Sequence, residues 1–441
     1  MTGTPHVLII GGGIGGLCLA QGLRKAGLGF AVYERGPARA GDGEDHRVRI
    51  GPQGARALYA CLPPEAWEVF TAGTESGGRS VFVTERLREL LVLPQPAAGR
   101  APQHSSHATS AGALRRVLLT GLDGHLVHFD REFVRYELTD DDGAGGGSAI
   151  RAHFSDGSTA HGDLLAGADG ADSRVRGQLL PHAVRTDTQV LAVTGSLDLS
   201  GARADELPEP LTAASTSVLT PRADAMFCTA GRATAHGRPR IDGLYAGAEA
   251  DLGVHAALAD GPLLARHRSH VVWTYVAKTA AYPRDVEHLD GKALRAVVAE
   301  RIAHWHPALV RLVAEADPDS VAPVRMLGMR PVRAWPPGPV TLLGDAIHGM
   351  PALGGTGATT ALRDARLLSR LLARRRDPVQ AIAAYESEMR AYGFEAVARS
   401  LRTTRSATSD SRLARTLLRG VLRTAAHSGW VRAAVFRDAG E

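Results

Sequence analysis

Lysine is almost missing from this sequence: 48 of its 51 basic residues are arginine, and only Lys25, Lys278 and Lys292 break the pattern. That bias reads as GC-rich codon usage rather than as function. Cysteine is equally scarce, with Cys18, Cys61 and Cys228 far apart. Their spacing offers no CxxC metal or redox pair and no even disulfide framework, which suits a reducing cytoplasm. No charge sign dominates either, since 51 basic and 46 acidic residues leave only +5, too little to argue for a nucleic-acid partner. Apolar runs stay short of a membrane span, so no stable membrane insertion is expected. The apolar residues 6–20 lack a basic leader and an A-x-A site; they are not read as a signal peptide, and a cytoplasmic location is expected.

What the chain does have is length, apolar content and glycine. Its 441 residues are about three times the usual domain length, so a large core or several domains are expected. At 44 % hydrophobic and 22 % charged, it has the composition of a globular chain. Its 50 glycines exceed the average share and gather in three places.

The first place follows a short apolar run at residues 6–10. Gly11, Gly13 and Gly16 match G-x-G-x-x-G, with Ile14 and Gly15 inside the motif. A helical pattern follows (Leu17, Ala20, Leu23, Ala26), then a second strand at 30–34 ending in Glu34 and Arg35. Gly11 permits the tight turn, Gly13 a close approach of pyrophosphate, and Gly16 close helix–strand packing. The free N–H groups of the helix start attract phosphate, and Glu34 is placed to accept from ribose hydroxyls. Together, strand, helix, second strand and terminal acid point to a dinucleotide.

The second place is an apolar strand ending in Asp169-Gly170, with a helix starting at Asp172 or Ser173 and carrying Arg176. Standing alone it would be no more than a capped helix start. The third runs from a strand into Gly344-Asp345, then through Pro351, Gly355 and Gly357 to a long helix opening with Ala358 and Thr359. Alone, it would be a loop needing left-handed backbone angles.

Elsewhere the patterns predict helices at 52–61, 114–122, 252–259, 293–304 and 378–400. They predict strands at 79–84, 88–93, 125–130, 132–138, 149–154, 189–197, 215–220, 225–229 and 270–277. Residues 140–147 read as a hairpin turn. In the tail, Arg412, Arg415, Arg419 and Arg423 share one side of a helix. Its leucines are expected to dock on the protein and its arginines to face water. His104 and His107 form an H-x-x-H pair without supporting carboxylates or cysteines, so no metal is assigned.

The three motifs, in this order and spacing, resemble the class A FAD-dependent monooxygenases with the p-hydroxybenzoate hydroxylase fold. The resemblance implies an α/β protein: a Rossmann-like FAD-binding domain of the GR2 type, an inserted α+β substrate domain dominated by a β-sheet, and C-terminal helices. The expected boundaries are 1–75, 100–182 and 321–375 for the FAD-binding domain, 76–99 and 183–320 for the substrate domain, and 376–441 for the helical region. Gly11, Gly13, Ile14, Gly15 and Gly16 would hold the FAD pyrophosphate, and Glu34 with Arg35 the adenosine ribose. Asp169 and Gly170 would lie where FAD contacts and NAD(P)H effects overlap. Gly344 and Asp345 would meet the FAD ribose or ribitol, and Pro351, Gly355, Gly357, Ala358 and Thr359 the isoalloxazine. Arg47 matches a family arginine that contacts FAD. Two positions depart from the pattern. Threonine stands at 359 in place of asparagine and is expected still to cap its helix, while Ala111 replaces a usual arginine, so that either Arg115 or Arg116 substitutes or FAD binds more weakly.

The resemblance further implies a reaction in which NADPH or NADH reduces FAD and leaves. Oxygen then adds at the flavin C4a, and the hydroperoxide passes its distal oxygen to an aromatic or polyketide-like small molecule. Dry walls are needed, because water would waste the peroxide. Met226, Phe227, Trp273 and Tyr275 are sheet positions able to line an apolar pocket over the flavin, with core packing as the competing role. No catalytic side chain is assigned; His348 reads as a histidine that orders the Asp345 loop. A non-redox cyclase that keeps FAD structurally is the alternative. A flavin-dependent halogenase is disfavoured by the absence of a W-x-W-x-I-P segment and of a lysine near the flavin motifs. Oligomeric state, regiochemistry and the choice between NADH and NADPH stay open.

Overall fold

Residues 6–10 and 164–167 are apolar almost throughout, as strands covered on both faces must be. In the computed structural model they form the centre of a five-stranded parallel sheet. Its order is Val340–Leu342, Leu164–Gly167, His6–Ile10, Gly29–Tyr33, Val127–His128. The structure describes residues 5–38, 47–76, 79–93, 101–138, 150–199, 206–213, 215–231 and 270–435. The expected helix at 252–259 and the turn at 140–147 lie outside them.

The helices Ile14–Lys25 and Gly357–Arg374 pack together on this sheet, and their apolar faces enter one large core. That core also takes Ile382, Tyr385 and Met389 from the long helix Pro378–Ala407. A three-stranded antiparallel sheet (Phe133–Leu138, Ile150–Phe154, Thr159–Gly162) and a small sheet of Arg47–Ile50, His107–Ser110 and Glu75–Ser76 flank it.

The second layer is a seven-stranded sheet. Its order is Ala322–Met329, Arg185–Asp198, His270–Lys278, Asp224–Gly231, Ser215–Leu219, Ser80–Thr84, Glu89–Leu93. Ala322–Met329 pairs with Arg185–Asp198, so an edge strand of this sheet comes from residues the sequence assigns to the FAD-binding segment 321–375. One face is backed by the helices Gly291–Arg301 and Pro307–Ala314 around Trp273, Trp305 and Leu309. The other carries a small apolar cluster of Val190, Ala192, Ala225, Val276 and Met326.

The tail helix Arg412–His427 departs in part from its expected orientation, since Arg412 and Arg423 face water and Leu422 docks but other positions do not follow. Arg415 is buried, while Leu413, Leu417 and Val421 are exposed. Leu422 and Ala425 hold the helix against Leu90 and Leu91 on the outer strand of the seven-stranded sheet. Arg415 and Arg419 turn inward because backbone carbonyls on neighbouring elements accept from them, while Arg412 and Arg423 stay exposed.

Candidate functional site

Four neighbouring parallel strands each deliver a motif at the carboxyl end. His6–Ile10 runs into Gly11, Gly29–Tyr33 into Glu34, Leu164–Gly167 into Ala168-Asp169, and Val340–Leu342 into Leu343-Gly344. The crevice outside the carboxyl ends is where open α/β sheets bind ligands. Segments more than 300 residues apart in the chain thus meet at one edge.

Steric limits fix the glycines. Gly11 has φ +110°, and a β-carbon there would fall 2.3 Å from the Ala168 carbonyl oxygen. A β-carbon on Gly16 would fall 2.0 Å from the Gly11 oxygen, so the helix sits directly on the turn. Gly13 differs: it is exposed, and nothing lies within 4 Å of where its β-carbon would be. Ile14 and Gly15 begin the helix, and no side chain caps it. Glu34 accepts from the Gly12 N–H at 2.5 Å and the Gly36 N–H at 2.7 Å, which holds its carboxylate against the loop. Arg35, by contrast, turns to solvent. Arg115 reaches the same loop: its Nε donates to the Gly12 carbonyl at 3.4 Å, and its guanidinium lies over Phe129. It therefore brings a positive charge to the glycine loop that Ala111 cannot supply. Ala111 itself is buried at the start of a helix capped by Ser110.

The second motif is locked to the third by Arg176. This buried guanidinium donates to the Ala171 carbonyl at 2.8 Å and to the Ala346 carbonyl at 2.8 Å. Ser173 caps the helix Arg174–Leu179 by accepting from the Arg176 N–H. Asp169 Oδ2 accepts from the Val175 N–H, while Asp169 Oδ1 is buried without a partner. Gly170 has φ +77°.

Asp364 organises the third motif, and the sequence reading gave it no role. One of its oxygens accepts from the Gly344 N–H at 2.8 Å and pairs with His348 Nε2 at 2.6 Å; the other accepts from Tyr392 at 2.6 Å. An aspartate within an otherwise apolar helix face, beside Ala361, Leu362 and Ala365, was the available signal. His348 is fully buried. Burial opposes its charge, but the carboxylates of Asp364 and Asp345 with a backbone hydrogen bond together offset this and hold its pKa above the ordinary value. His348 thus orders the loop as part of a buried pair. Asp345 opens to solvent yet is crowded by protein on most sides. That crowding raises its pKa, against the pull of His348 and Arg185.

Asp345 Oδ1 lies 3.8 Å from the β-carbon position of Gly357, which brings the acid to the start of the Gly357–Arg374 helix. No side chain caps this helix. Thr359 was expected to cap it, but its hydroxyl accepts instead from the Gly51 N–H at 2.8 Å and ties the helix to the strand Arg47–Ile50. Ala358 is half-buried in the first turn. Pro351 accepts from Ser400 at 2.5 Å, and Gly355 adopts the left-handed conformation at φ +61°. Arg47 opens the strand Arg47–Ile50, and its guanidinium reaches close to Gly231 on the seven-stranded sheet.

The four apolar sheet residues are not brought together. Met226, Trp273 and Tyr275 are fully buried on the helix-backed face, where the Tyr275 hydroxyl donates to Asp224. Phe227 lies on the opposite face with Leu353 of the third glycine-rich loop, because successive strand residues alternate between faces. His107 uses both ring nitrogens, at Thr74 and at the Pro102 carbonyl. No cluster of three or more metal-ligating side chains occurs among the described residues.

Several features fit a dinucleotide flavin. The helices at the first and third motifs leave their N–H groups without side-chain caps, the open side of Gly13 leaves room for phosphate, and the orphaned Asp169 oxygen needs a donor. Known proteins agree. The FAD binding domain family model matches residues 113–400, more than half of the chain, and the NAD(P)-binding Rossmann-like domain model matches residues 9–70. A solved structure from Photorhabdus luminescens subsp. laumondii, assigned as a FAD-containing monooxygenase, is 34 % identical. It covers 92 % of this chain and 99 % of its own, with a TM-score of 0.78. The chain belongs to the FAD-dependent monooxygenase family.

Within that family, aurachin C monooxygenase/isomerase of Stigmatella aurantiaca is 28 % identical over 86 % of this chain and 84 % of its own. A dual O-methyltransferase/FAD-dependent monooxygenase of Phaeosphaeria nodorum is 28 % identical over 89 % of this chain and 45 % of its own. The flavoprotein chain spans about half the length of the curated relatives of this dual kind.

Proposed function

We propose that this flavoprotein hydroxylates or epoxidises an aromatic or polyketide-like small molecule in natural-product biosynthesis. NADH or NADPH supplies two electrons, one atom of O2 enters the substrate and the other leaves as water. The observation that carries this reading is the convergence of the three motifs at the ends of adjacent strands, with an unpartnered buried carboxylate oxygen among them. The relatives named above as monooxygenases support it.

FAD, when bound, accepts the hydride and activates oxygen; the chain supplies binding, orientation and dryness. Gly11, Gly13 and Gly16 with Arg115 would hold the pyrophosphate, and Glu34 the ribose. Asp345 would bind the ribitol, while the N–H groups of Gly357, Ala358 and Thr359 would steady negative charge on the pyrimidine edge. Asp364 keeps Gly344 and His348 in place, so the loop is set before any ligand arrives. The apolar cluster on which Phe227 and Leu353 pack would exclude water on the side of the seven-stranded sheet.

The test is a visible spectrum of the purified protein, then anaerobic reduction by NADH and NADPH with candidate phenols and polyketides. Yellow protein, substrate-stimulated reduction and label from 18O2 in the product are expected. Turnover without reductant and oxygen would point to the cyclase and overturn the reading.

A further inference from the structure

The tail helix leaves a surface that the flavin site does not use. Along Arg412–His427, Leu413, Leu417 and Val421 recur every four residues and are 71 %, 59 % and 40 % exposed. Residues four apart share a helix face, so the three form one aliphatic row directed at solvent. Trp430, on the short helix Gly429–Val435, is 80 % exposed. At ~100° per residue, Arg412, Arg423 and His427 lie to one side of the row, roughly 80–140° round the helix from Leu417, and all three are exposed. No acidic residue occurs between Ser411 and Val435.

The helix cannot roll to hide this row. Arg415 donates to the Ala407 carbonyl at 3.0 Å and to the Asp224 carbonyl at 2.6 Å, and Arg419 donates to the Glu85 carboxylate and the Leu219 carbonyl. Rolling would strip both guanidinium groups of these acceptors and leave buried charge unpaired. The leucines are therefore held outward by the same contacts that dock the helix.

We propose that this face is a peripheral docking surface for an anionic lipid bilayer. Leucines and an exposed tryptophan, a basic flank and no acids describe a helix that lies in the plane of a membrane interface. The indole suits the headgroup level, and the arginines meet lipid phosphates. A second copy of this chain suits the surface less well. Pairing the rows would bring together two basic helices with no carboxylate between Ser411 and Val435 to offset their charge. No helix among the described residues is long and apolar enough to cross a membrane, so the contact is peripheral.

The experiment is co-sedimentation of the 441-residue holoprotein with vesicles of phosphatidylcholine alone or mixed with phosphatidylglycerol, at low and high salt. Wild type is expected to sediment with the anionic vesicles and much less with the neutral ones, and salt should weaken binding. L417D/V421D should lower partitioning about tenfold or more, with FAD content and circular dichroism unchanged. W430A, a milder variant, should lower it less, and the wild-type fluorescence should shift to the blue on anionic vesicles in a manner lost in W430A. Failure of wild type to bind anionic vesicles at low salt would overturn the proposal, as would full binding by L417D/V421D. So would a vesicle-free dimer abolished by that variant, which would assign the row to a second copy.

Discussion

Arg176 donates to the carbonyl of Ala346 at 2.8 Å, and through that bond the second glycine motif holds the third in register. The same guanidinium also donates to Ala171, so one buried side chain satisfies carbonyls on both sides of the crevice. Removing it leaves buried acceptors without donors, which costs about 2–3 kcal/mol. R176M is expected to lower stability by that amount in urea titrations and to weaken FAD retention on gel filtration. R176K, with a single ammonium, should recover only part of the loss. If R176M keeps both wild-type stability and bound flavin, the link does not matter.

Arg115 supplies the positive charge at the glycine loop that Ala111 cannot. A charge-assisted bond to phosphate contributes roughly 1.5–3 kcal/mol, or about 10–100-fold in affinity. R115A should raise the FAD dissociation constant by that factor in fluorescence titrations. R116A, about 100° further round the same helix, should change it much less. Equal losses in the two variants would show that general positive charge, rather than Arg115, is at work.

Phe227 and Trp273 separate two meanings of an apolar residue on one sheet. Trp273 is fully buried against the helices, with its ring over Gly195 of the neighbouring strand. W273A is expected to cost about 3–5 kcal/mol through the cavity it leaves. Phe227 faces the third glycine-rich loop, so F227A should cost about 1 kcal/mol or less while raising KM for the substrate. Denaturation midpoints and steady-state kinetics on the two variants read this directly. Loss of stability in F227A comparable to W273A would make Phe227 a core residue only.

Those two residues also show what the sequence could and could not disclose. The glycine motifs were legible because turn geometry and close approach leave few residues able to stand at Gly11 or Gly16. The acids Glu34, Asp169 and Asp345 were legible because they follow strand ends, where an α/β sheet places its ligands. Alternation along Asp224–Gly231 separates Met226 from Phe227, but it does not say which face looks toward the third glycine-rich loop. That depends on the helices of residues 291–314, which pack on one side only. Asp364 stayed hidden because its partners, Gly344, His348 and Tyr392, come together only in the fold. The tail turned in part the other way because the acceptors of Arg415 and Arg419 are supplied by Asp224, Leu219 and Glu85, roughly 200 residues or more upstream.

Glu386 gives the protein a pH dependence independent of its chemistry. Burial beside the central sheet pushes its pKa from the ordinary 4.5 up to about 7, although it accepts from Thr341 at 2.8 Å. At pH 4 folded and unfolded chains both hold the proton, and the site contributes no difference. Between the two pKa values only the folded chain keeps it, so stability falls as pH rises through that window. Above pH 7 the loss levels off, at about 3 kcal/mol from about 1.4 kcal/mol per unit. E386Q preserves the acceptor for Thr341 without the charge. It is expected to match wild type in urea at pH 4 and to exceed it by up to about 3 kcal/mol at pH 8. A wild type more stable than E386Q at pH 8 would mean that the ionised carboxylate is held by a favourable contact, and the sign of the dependence would reverse.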